Sequence, residues 1–173
     1  TCNFIRNSAN CGGAIDNKGI IENITSNFIG NSTQREGGAI YNYYRGTIGN
    51  ITGDFIMNHT SRDGGAIYND GTIYNIIGDF IGNYAEAENG SAIGGAIGNT
   101  RKIYTTRDFT GTNITGNFIE NYAKSENGTA IGGAIANNLV IRTGEIPTSL
   151  EYTNDSGITS SQNPSILNIK NSS

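Results

Sequence analysis

The chain has 173 residues, enough for one compact unit and too few for two comfortable ones. It carries 25 Gly and 25 Asn, no Trp, and only 15% charged residues, a composition that favours turn-dense β structure because Gly and Asn supply tight-turn conformations that helix interiors penalise. A net charge of -4 with 11 scattered basic residues argues against nucleic acid, which requires clustered Lys and Arg. The absence of a run of about 18 apolar residues argues against direct membrane insertion of this segment.

In chain order, the first features are Cys2 and Cys11. Their spacing leaves two states open: a disulfide closing a short loop, which implies an oxidising compartment, or two free thiols acting as small buried fillers. From the same region onward two short motifs alternate five times. Phe-Ile-x-Asn stands at 4–7, 28–31, 55–58, 80–83 and 118–121, and Gly-Gly-Ala-Ile at 12–15, 37–40, 64–67, 94–97 and 132–135. A third element, Asn-Ile, begins at Asn23, Asn50, Asn75, Asn113 and Asn168.

Successive glycine motifs are 25, 27, 30 and 38 residues apart, too short for an independent fold and suited to one coil of a solenoid. The pieces between turns are short runs rich in Ile, Tyr, Phe and Thr, bounded by Gly and Asn, which predict strands. Three short strands per coil and five to six coils predict an all-β parallel β-helix, each coil about 4.8 Å above the last. Residues 1–137 form the five motif-bearing coils, 138–165 an insertion or degenerate coil, and 166–173 the start of a further coil.

Stacking then predicts ladders. Phe4, Phe28, Phe55, Phe80 and Phe118 form an internal aromatic column, and Asn7, Asn31, Asn58, Asn83 and Asn121 a corner ladder of side-chain amides. A second ladder follows the glycines at Asn17, Asn42, Asn69, Asn99 and Asn137. The Ile after each Phe lies either at a bend or on an outer ridge; alternation alone does not choose.

Repeated Gly-Gly-Ala-Ile with Phe-x-x-Asn resembles the passenger repeats of the polymorphic membrane proteins, autotransporter surface adhesins of chlamydiae. The resemblance covers residues 1–137, with a trace at 166–171. It implies a right-handed β-helix, export to the bacterial cell surface through a C-terminal barrel, and adhesion to host cells or extracellular matrix.

Function on a solenoid concentrates where coils depart from the average. Coils four and five each carry five extra residues between Asn and Gly-Gly, "YAEAENGSA" and "YAKSENGTA". These predict two loops protruding one above the other, with Tyr84 over Tyr122 and Glu88 over Glu126. The contact residues expected there are Tyr84, Glu86, Glu88, Asn89, Tyr122, Lys124, Glu126 and Asn127, joined by Arg101, Lys102 and Tyr104 from a second insertion at 100–112.

No catalytic set assembles from the sequence. His59, the only histidine, is expected as a solvated corner residue, and Asp54 and Asp79, which precede Phe in adjacent coils, as a polar outer ladder, with Ca²⁺ binding and acid catalysis as alternatives. No cofactor is implied. The expectation is a non-enzymatic, extracellular adhesin segment, the repeat a rigid stalk and the insertions its contacts. A filament subunit stacking on copies of itself is the second reading, and a polysaccharide-acting β-helix enzyme the third.

Overall fold

The computed structural model describes residues 2–99 and 113–137, together with the backbone of Lys102–Ile103, Val140–Ile141, Thr159–Ser160 and Asn168–Lys170. Every regular element among them is a β-strand, and every strand pairing is parallel, joining a residue to its counterpart one coil away. The fold is a parallel β-helix. No described helix is long and apolar enough to cross a membrane.

Three walls enclose the core. One wall is double: the Asn-Ile strands Thr47–Thr52, Thr72–Ile77, Asn113–Thr115 and Asn168–Lys170 stack beside the Phe-Ile strands Phe55–Ile56, Phe80–Ile81 and Phe118–Ile119. Both rows pair with the ten-residue strand Ile20–Ile29 of coil two, which unites them in one sheet. The second wall begins after the motif Asn, with Ser8–Ala9, Ser32–Thr33, His59–Thr60, Tyr84–Ile93 and Tyr122–Ile131. The third holds the glycine-motif strands Ile15–Asn17, Ile40–Asn42, Ile67–Asn69, Ile97–Asn99 and Ile135–Asn137, followed by Thr159–Ser160.

The interior is built from columns. Phe28, Phe55 and Phe80 are fully buried, with Phe4 and Phe118 partly covered at the two ends of the described stack. Their rings lie face to face, centroids 4.7–5.0 Å apart and planes within 2–7°, because the strand spacing imposes the ring spacing. Each buried Phe contributes roughly 1.5–3 kcal/mol of transfer free energy before entropy. Ile48, Ile51, Ile73, Ile76 and the Ala-Ile pairs 39–40, 66–67 and 96–97 fill the rest.

The Asn corner accounts for each of its polar groups. Asn31 Nδ2 donates to Asn58 Oδ1 at 2.9 Å in the coil above and to the carbonyl of Phe4 at 2.9 Å in the coil below. Its Oδ1 accepts from both the backbone N–H (3.0 Å) and Nδ2 (2.8 Å) of Asn7. Asn58 and Asn83 repeat the pattern, and all three amides are completely buried. Only a planar group with two donors and a two-lone-pair acceptor fits such a corner, which is why Asn recurs here.

The residue before this Asn turns the chain. Arg6, Met57 and Glu120 adopt φ of 52–54°, and Gly30 and Gly82 adopt 62° and 61°, so position x is a left-handed turn open to any side chain that tolerates the strain. The preceding Ile forms an outer ridge: Ile5 and Ile119 are exposed, and Ile29, Ile56 and Ile81 are half-covered by one another's stacking. In the glycine motif, Gly37, Gly64, Gly94 and Gly132 have φ of 66–72°. The second Gly lies so close to the coil above that a Cβ at Gly38, Gly65 or Gly95 would run into the carbonyl oxygen of Gly65, Gly95 or Gly133.

The two cysteines are free, as in the second reading of their spacing, but Cys2 is exposed and Cys11 half-buried, so neither is a buried filler. Cys2 is exposed and paired with Ser26 on the Phe wall. Cys11 lies before the glycine corner, its thiol directed at Glu36 Oε2 at 3.7 Å. The chain reaches the Asn corner between them, so each thiol belongs to a different wall.

Candidate functional site

The insertions of coils four and five are strand and not irregular loop. Tyr84–Ile93 and Tyr122–Ile131 are ten-residue strands in parallel register, Tyr84 over Tyr122, Glu86 over Lys124 and Asn89 over Asn127. Two insertions of equal length in adjacent coils can satisfy each other's backbone groups, so the sheet continues through both. The result is a fin standing on the second wall.

The fin has a small core of its own. Ala85, Ala87 and Ala92 are buried together, with Ala123 partly buried against them, while residues 88–91 at its tip are exposed. Small side chains are what allow its outgoing and returning arms to close on each other. Further bonds tie the two layers: Ser125 Oγ donates to the Gly90 carbonyl at 2.8 Å, and Asn127 Nδ2 to the Glu88 carbonyl at 3.2 Å.

On its flank, His59, Tyr84 and Tyr122 form an outward aromatic row, with His59 and Tyr84 centroids 4.8 Å apart and Tyr84 and Tyr122 5.1 Å apart, planes within 8°. His59, expected to be solvated, is half-buried as the lowest ring of this row. Lys124 Nζ lies 2.6 Å from Glu86 Oε1 and 3.9 Å from Glu126 Oε1. Its hydrogen bond to Glu86 raises the Lys124 pKa, with Coulombic attraction adding to it. Partial burial, followed by the Glu86 charge, raises that of Tyr122. Both groups hold their protons, so a neutral Tyr122 ring stands beside the Lys124–Glu86 ion pair.

The sequence-predicted residues Tyr84, Glu86, Glu88, Asn89, Tyr122, Lys124, Glu126 and Asn127 are thus gathered on one element. Lys102 lies on a separate strand whose backbone pairs with Val140, and Arg101 and Tyr104 fall outside the described residues.

The acids before Phe are engaged in the ladder. Asp54 Oδ1 accepts the backbone N–H of Asp79 at 3.0 Å, and Asp79 Oδ1 accepts that of Asn117 at 2.8 Å. Among the described residues no group of three or more His, Cys, Asp or Glu side chains is placed to hold a metal.

Beside the fin, coil three takes a shorter path. Its strand pairs with coil four at His59 and Thr60 alone and meets it again only at the Asp63 to Ile93 bridge. This step leaves a notch of about 640 Å³ between Gln34, Thr60 and Ser61 on the stack and Glu86 and Glu88 on the fin. Where the two coils meet again, Asp63 Oδ1 accepts the Ile93 N–H at 3.0 Å. Burial lifts its pKa to about 6, aided by the Glu36 carboxylate and opposed by the Ile93 N–H and by Arg62.

Two features escaped the sequence reading. An exposed ladder links Asn23, Asn50, Asn75 and Asn113 through side-chain hydrogen bonds of 2.8–3.1 Å, a consequence already implicit in the spacing of the Asn-Ile element. A tyrosine patch joins Tyr41, Tyr43, Tyr44 and Tyr68, with Lys18 and Arg45 over two of the rings at 5.3 and 5.0 Å. The run "YNYY" was its signal.

No curated protein and no solved structure matches the chain. Residues 25–43, which carry the Phe-Ile-x-Asn and Gly-Gly-Ala-Ile motifs of coil two, match the model of the Chlamydia polymorphic membrane protein repeat. The ladder corner and the glycine corner of this β-helix are therefore those of a unit similar to that surface-protein repeat.

Proposed function

We propose that this chain is a surface-exposed, non-enzymatic passenger segment of the bacterial adhesin type, a rigid stalk that carries the fin as its contact element. The fin carries the proposal: two adjacent coils build it together, in register along its length. Its surface offers the exposed Tyr122 ring, amides and carboxylates without disturbing the core beneath. The similarity of residues 25–43 to the polymorphic membrane protein repeat supports a bacterial cell-surface location and a partner on host cells or their matrix. The use of Asp54 and Asp79 as acceptors for ladder amides supports a structural role for those acids.

Deleting residues 86–90 and 124–128 restores the spacing of coils two and three. The shortened chain, displayed on a bacterium, should keep its β-type circular dichroism and lose most of its attachment to host cells. Unchanged attachment with an intact fold would refute the contact role.

A further inference from the structure

Within the fin, the strand of coil four is paired on one side only. From Glu86 to Ala92 its register partners all lie in coil five, whereas on the coil-three side pairing stops at Ala85 and resumes as a single bridge at Ile93. The cause is internal to the fold: coil three lacks the five residues that coil four inserts, so a stretch of strand edge stands open above the notch. An open edge is a template for another extended chain, because its free N–H and C=O groups are met at strand spacing only by a backbone.

The charge on the notch selects among such chains. Its charged lining side chains, Glu86, Glu88 and Glu126, are all carboxylates. Glu88 is exposed and pairs with no cation among the described residues, while Lys124 lies 2.6 Å from Glu86 and 3.9 Å from Glu126, leaving the trio with a net negative charge. On the opposite wall stand the polar, uncharged side chains of Gln34, Thr60 and Ser61, beside the His59 ring.

We propose that the notch binds an extended, lysine- or arginine-bearing segment of a partner protein as an added β-strand along Glu86–Asn89, its backbone on the open edge and its cations on Glu86, Glu88 and Glu126. Alternate side chains of the added strand face the two sides of the edge, so basic residues at every second position fit best. This deepens the contact role of the fin and rests on it.

The probe is an acetylated, fluorescein-labelled heptapeptide alternating threonine with lysine, with two controls: the same peptide N-methylated at alternate residues, and one with glutamate for lysine. Fluorescence anisotropy with the whole chain should show the lysine peptide binding at least tenfold tighter than either control. Hydrogen exchange should slow at amides of residues 86–92 in the complex. Glu88→Gln combined with Glu86→Gln, surface changes that leave the stack folded, should weaken binding about tenfold.

Equal binding of the N-methylated peptide would overturn backbone pairing, and so would protection appearing elsewhere on the chain. Absence of binding by the lysine peptide would overturn the proposal even if deleting the fin abolishes cell attachment; in that case the contact role stands and the peptide assignment fails. Peptide binding with attachment unaffected by fin deletion would leave the strand-addition site and remove the adhesive role.

Discussion

At Asn58 a single side chain holds three coils together. Its amide donates to Asn83 Oδ1 and to the Phe28 carbonyl, and its Oδ1 accepts from the backbone and the side chain of Asn31, all in a site sealed from water. Asn58→Ala leaves several buried groups without partners, each costing roughly 1–3 kcal/mol. A loss of about 3–5 kcal/mol in urea unfolding is expected, against under about 1 kcal/mol for Asn50→Ala on the exposed ladder. Asp63 behaves in the opposite sense. Its folded pKa, raised to about 6 from 3.8, means that the folded state holds the proton more tightly than the unfolded chain. Its contribution is therefore complete below about pH 4 and is lost as pH rises through 6. Asp63→Asn keeps the acceptor for the Ile93 N–H without the charge, so unfolding at pH 7 should show a gain of roughly 1–2 kcal/mol. The same variant should flatten the stability profile between pH 4 and 6. An unaltered slope there would show that Asp63 is not its source.

At the scale of one element, the glycine corner and the fin show two ways of tolerating a neighbour. The corner is closed: Gly65 packs under the carbonyl of Gly95 and against the backbone of Tyr84. Gly65→Ala must push coils apart, and a loss of more than about 3 kcal/mol, or failure to fold, is expected from this overpacking. Gly19, with no atom within 4 Å of an added Cβ, is the control, and Gly19→Ala should change stability by under about 0.5 kcal/mol. The fin is open: its exposed tip accepts Glu, Asn, Gly and Ser, while its alanine core admits little else. Its existence was legible in the extra residues of two adjacent coils. Its strand character was not, because polar "AEAENGS" carries a loop composition and becomes sheet only when a second copy lies one coil away to receive its hydrogen bonds.

Over the whole molecule, stability in a solenoid is a sum of coil terms and coil-to-coil interfaces. Burial is uneven along the stack: Phe28, Phe55 and Phe80 are inaccessible to solvent, as are Asn31, Asn58 and Asn83, whereas Asn7 is exposed and Phe4 only half-covered. Native-state hydrogen exchange should accordingly show the slowest amides in coils two to four and faster exchange in coil one. Uniform protection from Cys2 to Asn99 would instead show that the chain opens as a single unit. The parallel pairing of Thr159–Ser160 with residues 136–137, and of Asn168–Lys170 with Asn113–Thr115, places chain from beyond residue 137 on both the glycine wall and the Asn-Ile wall.

By itself the sequence determined the coil: five recurrences of Phe-Ile-x-Asn and Gly-Gly-Ala-Ile specify register, because each Phe, each Asn and each Gly pair has one environment that satisfies it, and that environment is its own copy one strand spacing away. It could not determine whatever depends on how neighbouring coils differ. The Ile ridge, the free thiols on separate walls, the strand character of the fin and the open edge of Glu86–Ala92 all follow from placing a longer coil beside a shorter one, or one wall beside another. Those relations exist only after stacking, since a backbone group is paired or unpaired according to what lies across from it, and no single coil carries that information.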